Sequence, residues 1–161
     1  VSQSEGIKPW LSAFYYLREV GKFGIGGNSL SFYLELLPDV KLQRTTVREK
    51  IDTNPKLRRA LEFTSDAFQL IMTRPEYKDI EYIIPMEKLY KGLIDMGYDW
   101  DKLLETRGYP LIDNYNEDYP PYLSTPDLLD MYLGKYHPWW YPTDGIKNPW
   151  LDKDKNKSIA A

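Results

Sequence analysis

Pro55–Thr73, which reads PKLRRALEFTSDAFQLIMT, is the stretch that decides the predicted fold. Its apolar residues recur at spacings of three, four and seven, which places them along one face of an α-helix. Pro55 stands at the first position, where a missing backbone N–H is tolerated. The stripe consists of Leu57, Leu61, Phe68 and Ile71, with Ala60, Ala67 and Leu70 beside it. We therefore expect a long helix that carries the packing of the body.

Helix start and stop signals also punctuate the rest of the chain. Prolines or capping residues open each segment, and glycines close several of them. The predicted short helices are residues 9–20, a segment opened by Thr46, a segment opened by Pro75, residues 85–97, residues 100–107 capped by Asp99, and residues 127–133. The sequence therefore predicts an all-α fold, an irregular bundle of about six or seven short helices.

Residues 29–37 suit either a strand or a helix. Large apolar residues alternate with others from Leu30 to Leu36 as in a strand, whereas Leu30, Leu34 and Leu37 fit one face of a helix. Asn28 or Ser29 is a suitable helix cap, and Pro38 ends the segment. We favour a helix because no second strand with a hairpin turn is evident nearby.

The last third of the chain has a different texture. Seven of the 12 prolines and ten of the aromatic residues lie between Tyr109 and Trp150. Proline breaks regular structure, and aromatic rings favour an apolar surface that covers them. We therefore divide the chain into a helical body, residues 1–108, and a proline- and aromatic-rich C-terminal arm, residues 109–161. The arm is expected to contain one short helix, about residues 125–133, and a mobile charged end.

The composition excludes several classes of protein. Apolar residues make up 42% and charged residues 28% of the 161, as in an ordinary folded, soluble domain. No apolar run approaches the roughly 18 residues that cross a bilayer. Without cysteine, and with His137 as the only histidine, a structural zinc site or a di-iron site has too few ligands. We expect no metal, no cofactor and no catalytic activity. The start at Val1 predicts a processed protein, targeted to an organelle or exported.

The C-terminal arm is the strongest functional signal. Tyrosine and tryptophan anchor protein interfaces, and proline reduces the entropy lost when a segment becomes ordered. The predicted partner-binding residues are Trp139, Trp140, Tyr141 and Trp150, with Tyr115, Tyr119 and Tyr122 as a second patch. We expect a structural or accessory subunit of a multi-protein assembly, with other subunits as its partners. The alternative is an arm that folds back over its own body as an internal strap.

Carboxylates suggest a second function. Two groups of acidic residues lie close together in the chain, Asp95, Asp99, Asp101 and Glu105, then Asp113, Glu117 and Asp118. Paired carboxylates act as acid and base in glycoside hydrolysis, and aromatic rings stack on sugars. The sequence therefore also fits a small carbohydrate-active or carbohydrate-binding protein. Asp99 and Asp101 equally suit the first turn of a helix.

Two further segments are candidate binding surfaces. Glycine amides can approach an anion, and a following helix N-terminus adds partial positive charge. The predicted anion-binding loop contains Gly24, Gly26, Gly27, Asn28 and Ser29, with a plain flexible turn as the alternative. The stretch from Lys41 to Arg59 carries seven basic residues, which suits contact with an anionic membrane surface. A net charge of −3 argues against nucleic acid as a partner.

Overall fold

The computed structural model describes residues 9–28, 30–73, 83–108 and 121–151. The chain divides into two compact units after Glu87. Helices predominate, but a three-stranded antiparallel sheet is also present, so the fold is mixed α/β. The predicted all-α class is therefore wrong.

The sheet and four helical segments form the first unit. Its elements are helix α1 (Pro9–Tyr16), a π-helical segment (Leu17–Gly21), strands β1 (Ile25–Gly27), β2 (Phe32–Leu34) and β3 (Leu37–Leu42), and helices α2 (Val47–Thr53) and α3 (Pro55–Thr73). The strands lie in the order β1-β2-β3, with Gly26 paired to Tyr33 and Phe32 paired to Leu42. The segment predicted as a helix over residues 29–37 is thus β2 and the beginning of β3.

Strand β2 pairs with β3 on one side and, on the other, with a segment that resembles a loop in the sequence. Ile25–Gly27 is too short and too rich in glycine to give a strand signal, yet it pairs along all of β2. Asn28 makes the connection compact, since its side-chain oxygen accepts hydrogen bonds from the amides of Leu30 and Ser31, both at 2.9 Å. Paired in this way, Phe32 and Leu34 are buried. The alternation of apolar residues from Leu30 to Leu36 was therefore the pattern that indicated the correct structure, a strand.

Helix α3 has the predicted bounds and is the centre of the first unit. Helices α1 and α2 and strand β3 all pack on it. Its buried residues are Leu57, Arg59, Ala60, Leu61, Phe63, Thr64 and Ala67. Arg59 is buried because its guanidinium lies 3.9 Å from the centre of the Phe63 ring and pairs with Glu62. The buried face therefore includes Arg59, Phe63 and Thr64, which were not predicted. Phe68, Leu70 and Ile71 of the predicted stripe are only half-buried.

The remaining helices are short. They are α4 (Met86–Asp95), which begins at the end of the first unit, α5 (Trp100–Leu104) and α6 (Thr125–Tyr132). Asp99 caps α5 as predicted, and the Ser124 hydroxyl accepts a hydrogen bond from the Asp127 amide at the start of α6. Thr46 precedes α2 but does not cap it through its side chain.

Several predictions fall on residues outside the described part of the chain. These are the helix opened by Pro75, the patch residues Tyr115 and Tyr119, the loop residue Ser29, the carboxylates Asp113, Glu117 and Asp118, and the charged end. Across the described ranges, no helix combines the length and the apolar character needed to cross a membrane.

Candidate functional site

The segment from Tyr136 to Pro142, here called the aromatic loop, follows helix α6 in the second unit. Its sequence, YHPWWYP, contains two prolines, which prevent a regular element. The loop is nevertheless fixed, because His137 and Tyr141 are buried on either side of Trp139. Hydrogen bonds of buried polar side chains and contacts between aromatic rings determine its position.

His137 is held through both ring nitrogens. Its Nε2 lies 2.9 Å from the carbonyl oxygen of Tyr141, and its Nδ1 lies 2.8 Å from the Tyr98 hydroxyl. A carbonyl oxygen only accepts, so Nε2 carries the proton and donates. Nδ1 has the Tyr98 hydroxyl as its hydrogen-bond partner. The imidazole therefore joins the two ends of the loop to the segment between α4 and α5.

Asn148, which follows the loop in the chain, belongs to the same hydrogen-bond network. Its Nδ2 donates to the Tyr98 oxygen at 2.9 Å and to the Tyr136 carbonyl at 2.8 Å. Its Oδ1 accepts from the Trp150 amide at 2.9 Å. Every polar atom of this buried amide is thus used, which is the condition for a buried polar group to stabilise a fold.

Tyr141 anchors the other end of the loop. Its hydroxyl oxygen accepts a hydrogen bond from the Asp99 amide at 2.8 Å, next to the start of α5. Its ring meets the Tyr98 ring edge to face, with centroids 5.2 Å apart. The Tyr141 side chain is buried within the second unit by these contacts.

Trp139 differs from its neighbours in exposure. Its side chain is 89% exposed, while Trp150 and Tyr122 are 37% and 38% exposed. The adjacent Trp140 donates its indole N–H to the Tyr122 carbonyl at 3.2 Å, which ties the loop to the segment before α6. A large apolar side chain is therefore presented to solvent from a backbone that is held on both sides.

The structure brings only some of the predicted partner-binding residues together. Trp140 and Tyr122 are in contact. Within the loop, the Tyr141 side chain is buried and the Trp139 side chain is exposed. Tyr98 and Asn148, which position the loop, were not predicted. Neither stands in a recognisable motif, because their partners lie 39 and 50 residues away in the chain.

Burial perturbs two tyrosines of this site. Desolvation raises the pKa of the Tyr98 phenol, although the hydrogen bond from Asn148 opposes the shift. Desolvation, reinforced by the negative charge of Asp127, also raises the pKa of Tyr136. Both phenols are thus kept neutral in the folded chain at a pH where an unfolded tyrosine ionises.

Stability is expected to fall as the pH rises above about 10, the pKa of an unfolded tyrosine. Between that value and the raised native values, the unfolded state releases protons that the native state retains, so unfolding is favoured. Urea unfolding between neutral and alkaline pH measures the decline. Tyr136→Phe should make the decline shallower. A slope equal to that of the wild-type chain would contradict this assignment.

The basic stretch from Lys41 to Arg59 does not form one exposed surface. Arg58 donates to the carbonyls of Ile51 and Asp52, and Lys50 donates to the Lys41 carbonyl. Arg59 is buried on α3. Lys41, Arg44 and Arg48 are exposed. The positive charge open to an anionic surface is therefore smaller than the sequence implies.

The remaining predicted groups have simple positions. Asp95, Asp99, Asp101 and Glu105 are exposed at or near helix ends. Gly26 and Gly27 belong to strand β1, and Gly24 and Asn28 flank it. No helix follows this loop directly, so the helix N-terminus that supported the predicted anion site is missing. Within the described ranges, no group of three or more histidine, aspartate or glutamate residues could hold a metal ion.

Comparison with known proteins adds no family to this picture. No protein-family model, no curated protein and no solved structure matches the chain. The evidence for a function therefore lies in the site itself.

Proposed function

We propose that this protein is a non-catalytic subunit of a multi-protein assembly, and that Trp139 is its principal anchor on a partner protein. The observation that carries the proposal is an indole side chain that is 89% exposed, in a loop whose residues His137 and Tyr141 are buried. Tryptophan is enriched among the residues whose truncation weakens protein interfaces most. A partner with an apolar pocket would remove this ring from water.

The buried network supports this role because it organises the loop before binding. Asn148 and His137 bind the loop backbone on either side of Trp139, at the carbonyls of Tyr136 and Tyr141. Both side chains are in turn hydrogen-bonded to the Tyr98 hydroxyl. A side chain on a fixed backbone loses little conformational entropy when a partner captures it. A flexible loop would lose more and would bind more weakly.

The C-terminal arm in this proposal has two functions in one segment. Its buried residues, Tyr141 and Asn148, act as an internal strap on the segment near Tyr98 and Asp99. Its exposed residue, Trp139, is left for the partner. The two alternatives raised by the sequence, an internal strap and a partner interface, are thus compatible.

Replacing Trp139 by alanine should reduce recovery of the partner at least about tenfold, since an interface anchor contributes 2 kcal/mol or more. The full-length chain, tagged and purified from its source, is analysed by native mass spectrometry for bound subunits. Because Trp139 is exposed, the free energy of unfolding should change by no more than about 0.5 kcal/mol. Lost binding with unchanged stability separates an interface role from a folding role.

Met72→Ala is the matched control, because Met72 is an exposed apolar residue on α3 of the first unit. It should leave partner recovery unchanged. Equal recovery with Trp139→Ala, or a strictly monomeric wild-type chain in native extract, would overturn the proposal.

A carbohydrate ligand is the competing proposal, because an exposed indole can also stack on a sugar ring. Titration of the wild-type chain with a panel of oligosaccharides, followed by tryptophan fluorescence, tests it directly. A saturable response that Trp139→Ala abolishes would assign the exposed ring to sugar binding and not to a protein partner.

A further inference from the structure

A second feature, independent of the aromatic loop, lies in the first unit around Arg18. This residue belongs to the π-helical segment that continues α1. Its guanidinium lies over the buried Phe32 ring, 4.2 Å from the ring centre. Stacking of this kind fixes the guanidinium plane, and the N–H donors lie at the edges of that plane.

The Arg18 guanidinium is not saturated by the described protein groups. Its Nη1 is buried and makes no hydrogen bond there. A Glu19 carboxylate oxygen lies 3.8 Å from Nη1, which is too long for a hydrogen bond, and the Glu19 side chain is 57% exposed. An exposed pair of this length contributes little. Arg18 therefore retains donor capacity for another anion.

Lys22 supplies a second positive charge near the first. It follows the π-helical segment and has a left-handed backbone conformation, with φ 49° and ψ 48°. Glycine or asparagine is usual at such a position, because other side chains crowd the backbone there. A lysine in this conformation is a local departure from the most stable choice, and departures of this kind concentrate at functional positions.

Both cations line one pocket. Its volume is about 350 Å³, and its other walls come from Ile25, Gly26, Gly27, Asn28 and Phe32. Gly26 has a packing role of its own, since a Cβ there would lie 2.6 Å from the Tyr33 ring. The positive charges that could attract an anion are those of Arg18 and Lys22, and the glycines form an open wall beside them.

We infer that this pocket binds a phosphate monoester. The two positive charges of Arg18 and Lys22 match the two negative charges that a phosphate monoester carries near neutral pH. The planar guanidinium can donate two parallel hydrogen bonds to phosphate oxygens, and the lysine adds a point charge. The apolar side chain of Ile25 in the wall and a volume larger than inorganic phosphate needs favour a small organic phosphate.

Phenyl phosphate and inorganic phosphate are suitable probes, titrated into the uniformly ¹⁵N-labelled full chain at constant ionic strength. Saturable shifts are expected at the amides of Gly26 and Gly27 and at Arg18 Nε, with tighter binding of phenyl phosphate. Arg18→Gln and Lys22→Asn should each weaken binding about tenfold, the loss of one charge-assisted contact. Asparagine tolerates the left-handed conformation, so Lys22→Asn should keep the melting temperature of the unliganded chain.

Arg44→Gln is the matched control, because it removes the same charge from an exposed turn of the same unit. It should change the affinity less than twofold. Absence of saturation up to about 20 mM probe, or equal weakening by all three variants, would overturn the inference. A loss of stability in Arg18→Gln without any change in affinity would make Arg18 a packing residue only and would also overturn it. None of these outcomes depends on Trp139 or on a protein partner.

Discussion

Replacing Asn148 by alanine is expected to lower the free energy of unfolding by about 3 kcal/mol. Asn148 is only 3% exposed, and its amide makes three hydrogen bonds to Tyr98, Tyr136 and Trp150. Alanine would leave the Tyr136 carbonyl and the Trp150 amide without these partners. A buried polar group that loses its partner destabilises a fold more than the bond itself stabilises it.

Urea unfolding followed by tryptophan fluorescence measures this effect well, because Trp100, Trp139, Trp140 and Trp150 all belong to the second unit. Asn148→Asp should be at least as destabilising at neutral pH, since it places a carboxylate against the Tyr136 carbonyl. Asn54→Ala is the control. Asn54 accepts one hydrogen bond from the Leu57 amide at the start of α3, a cap that contributes about 1 kcal/mol. Equal effects of the alanine variants at positions 148 and 54 would contradict the importance of the network.

The same substitution connects stability with the proposed function. Asn148 lies beneath the loop and is buried, so it is not available to a partner. We nevertheless expect Asn148→Ala to reduce partner recovery, because a loosened loop must be ordered again on binding. The loss should be smaller than that caused by Trp139→Ala.

Replacing Gly24 by alanine is expected to destabilise the protein by about 3 kcal/mol, through two separate causes. Gly24 has a φ of 74°, which disfavours any residue with a Cβ. An added Cβ would also lie 2.3 Å from the Thr64 Cγ2 and 3.2 Å from the Met86 Cγ. The backbone cannot easily move away, since the Gly24 carbonyl accepts a hydrogen bond from the Glu35 amide.

Two further variants separate these causes. Thr64→Ser removes the clashing methyl group but keeps the hydroxyl that donates to the Ala60 carbonyl. Combined with Gly24→Ala, it should recover about 1 kcal/mol or more relative to the sum of the single effects. Gly145→Ala isolates the backbone cause, because Gly145 has a φ of 78° and open space around its Cβ position. It should cost about 1 kcal/mol. Additive effects at positions 24 and 64 would rule out the predicted clash.

The sequence was sufficient wherever a signal is local. Helix α3 begins at Pro55 and ends at Thr73 as predicted, because proline placement and apolar spacing act within a few turns of one element. Asp99 caps α5 for the same reason, since a cap and its amide are neighbours in the chain. The concentration of aromatic residues in the arm is likewise visible from the composition alone.

The tertiary structure decided what depends on distant pairing. Ile25–Gly27 is a strand only because β2 lies beside it, and β2 in turn pairs with this glycine-rich segment on one side and with β3 on the other. Neither segment has enough intrinsic preference to determine the conformation alone, so the predicted helix over residues 29–37 was wrong. Composition marked the rings from Trp139 to Tyr141 as one group. Their different exposures follow from hydrogen bonds that join them to residues such as Tyr98, Asp99 and Tyr122, well apart in the chain, and no local pattern encodes those contacts.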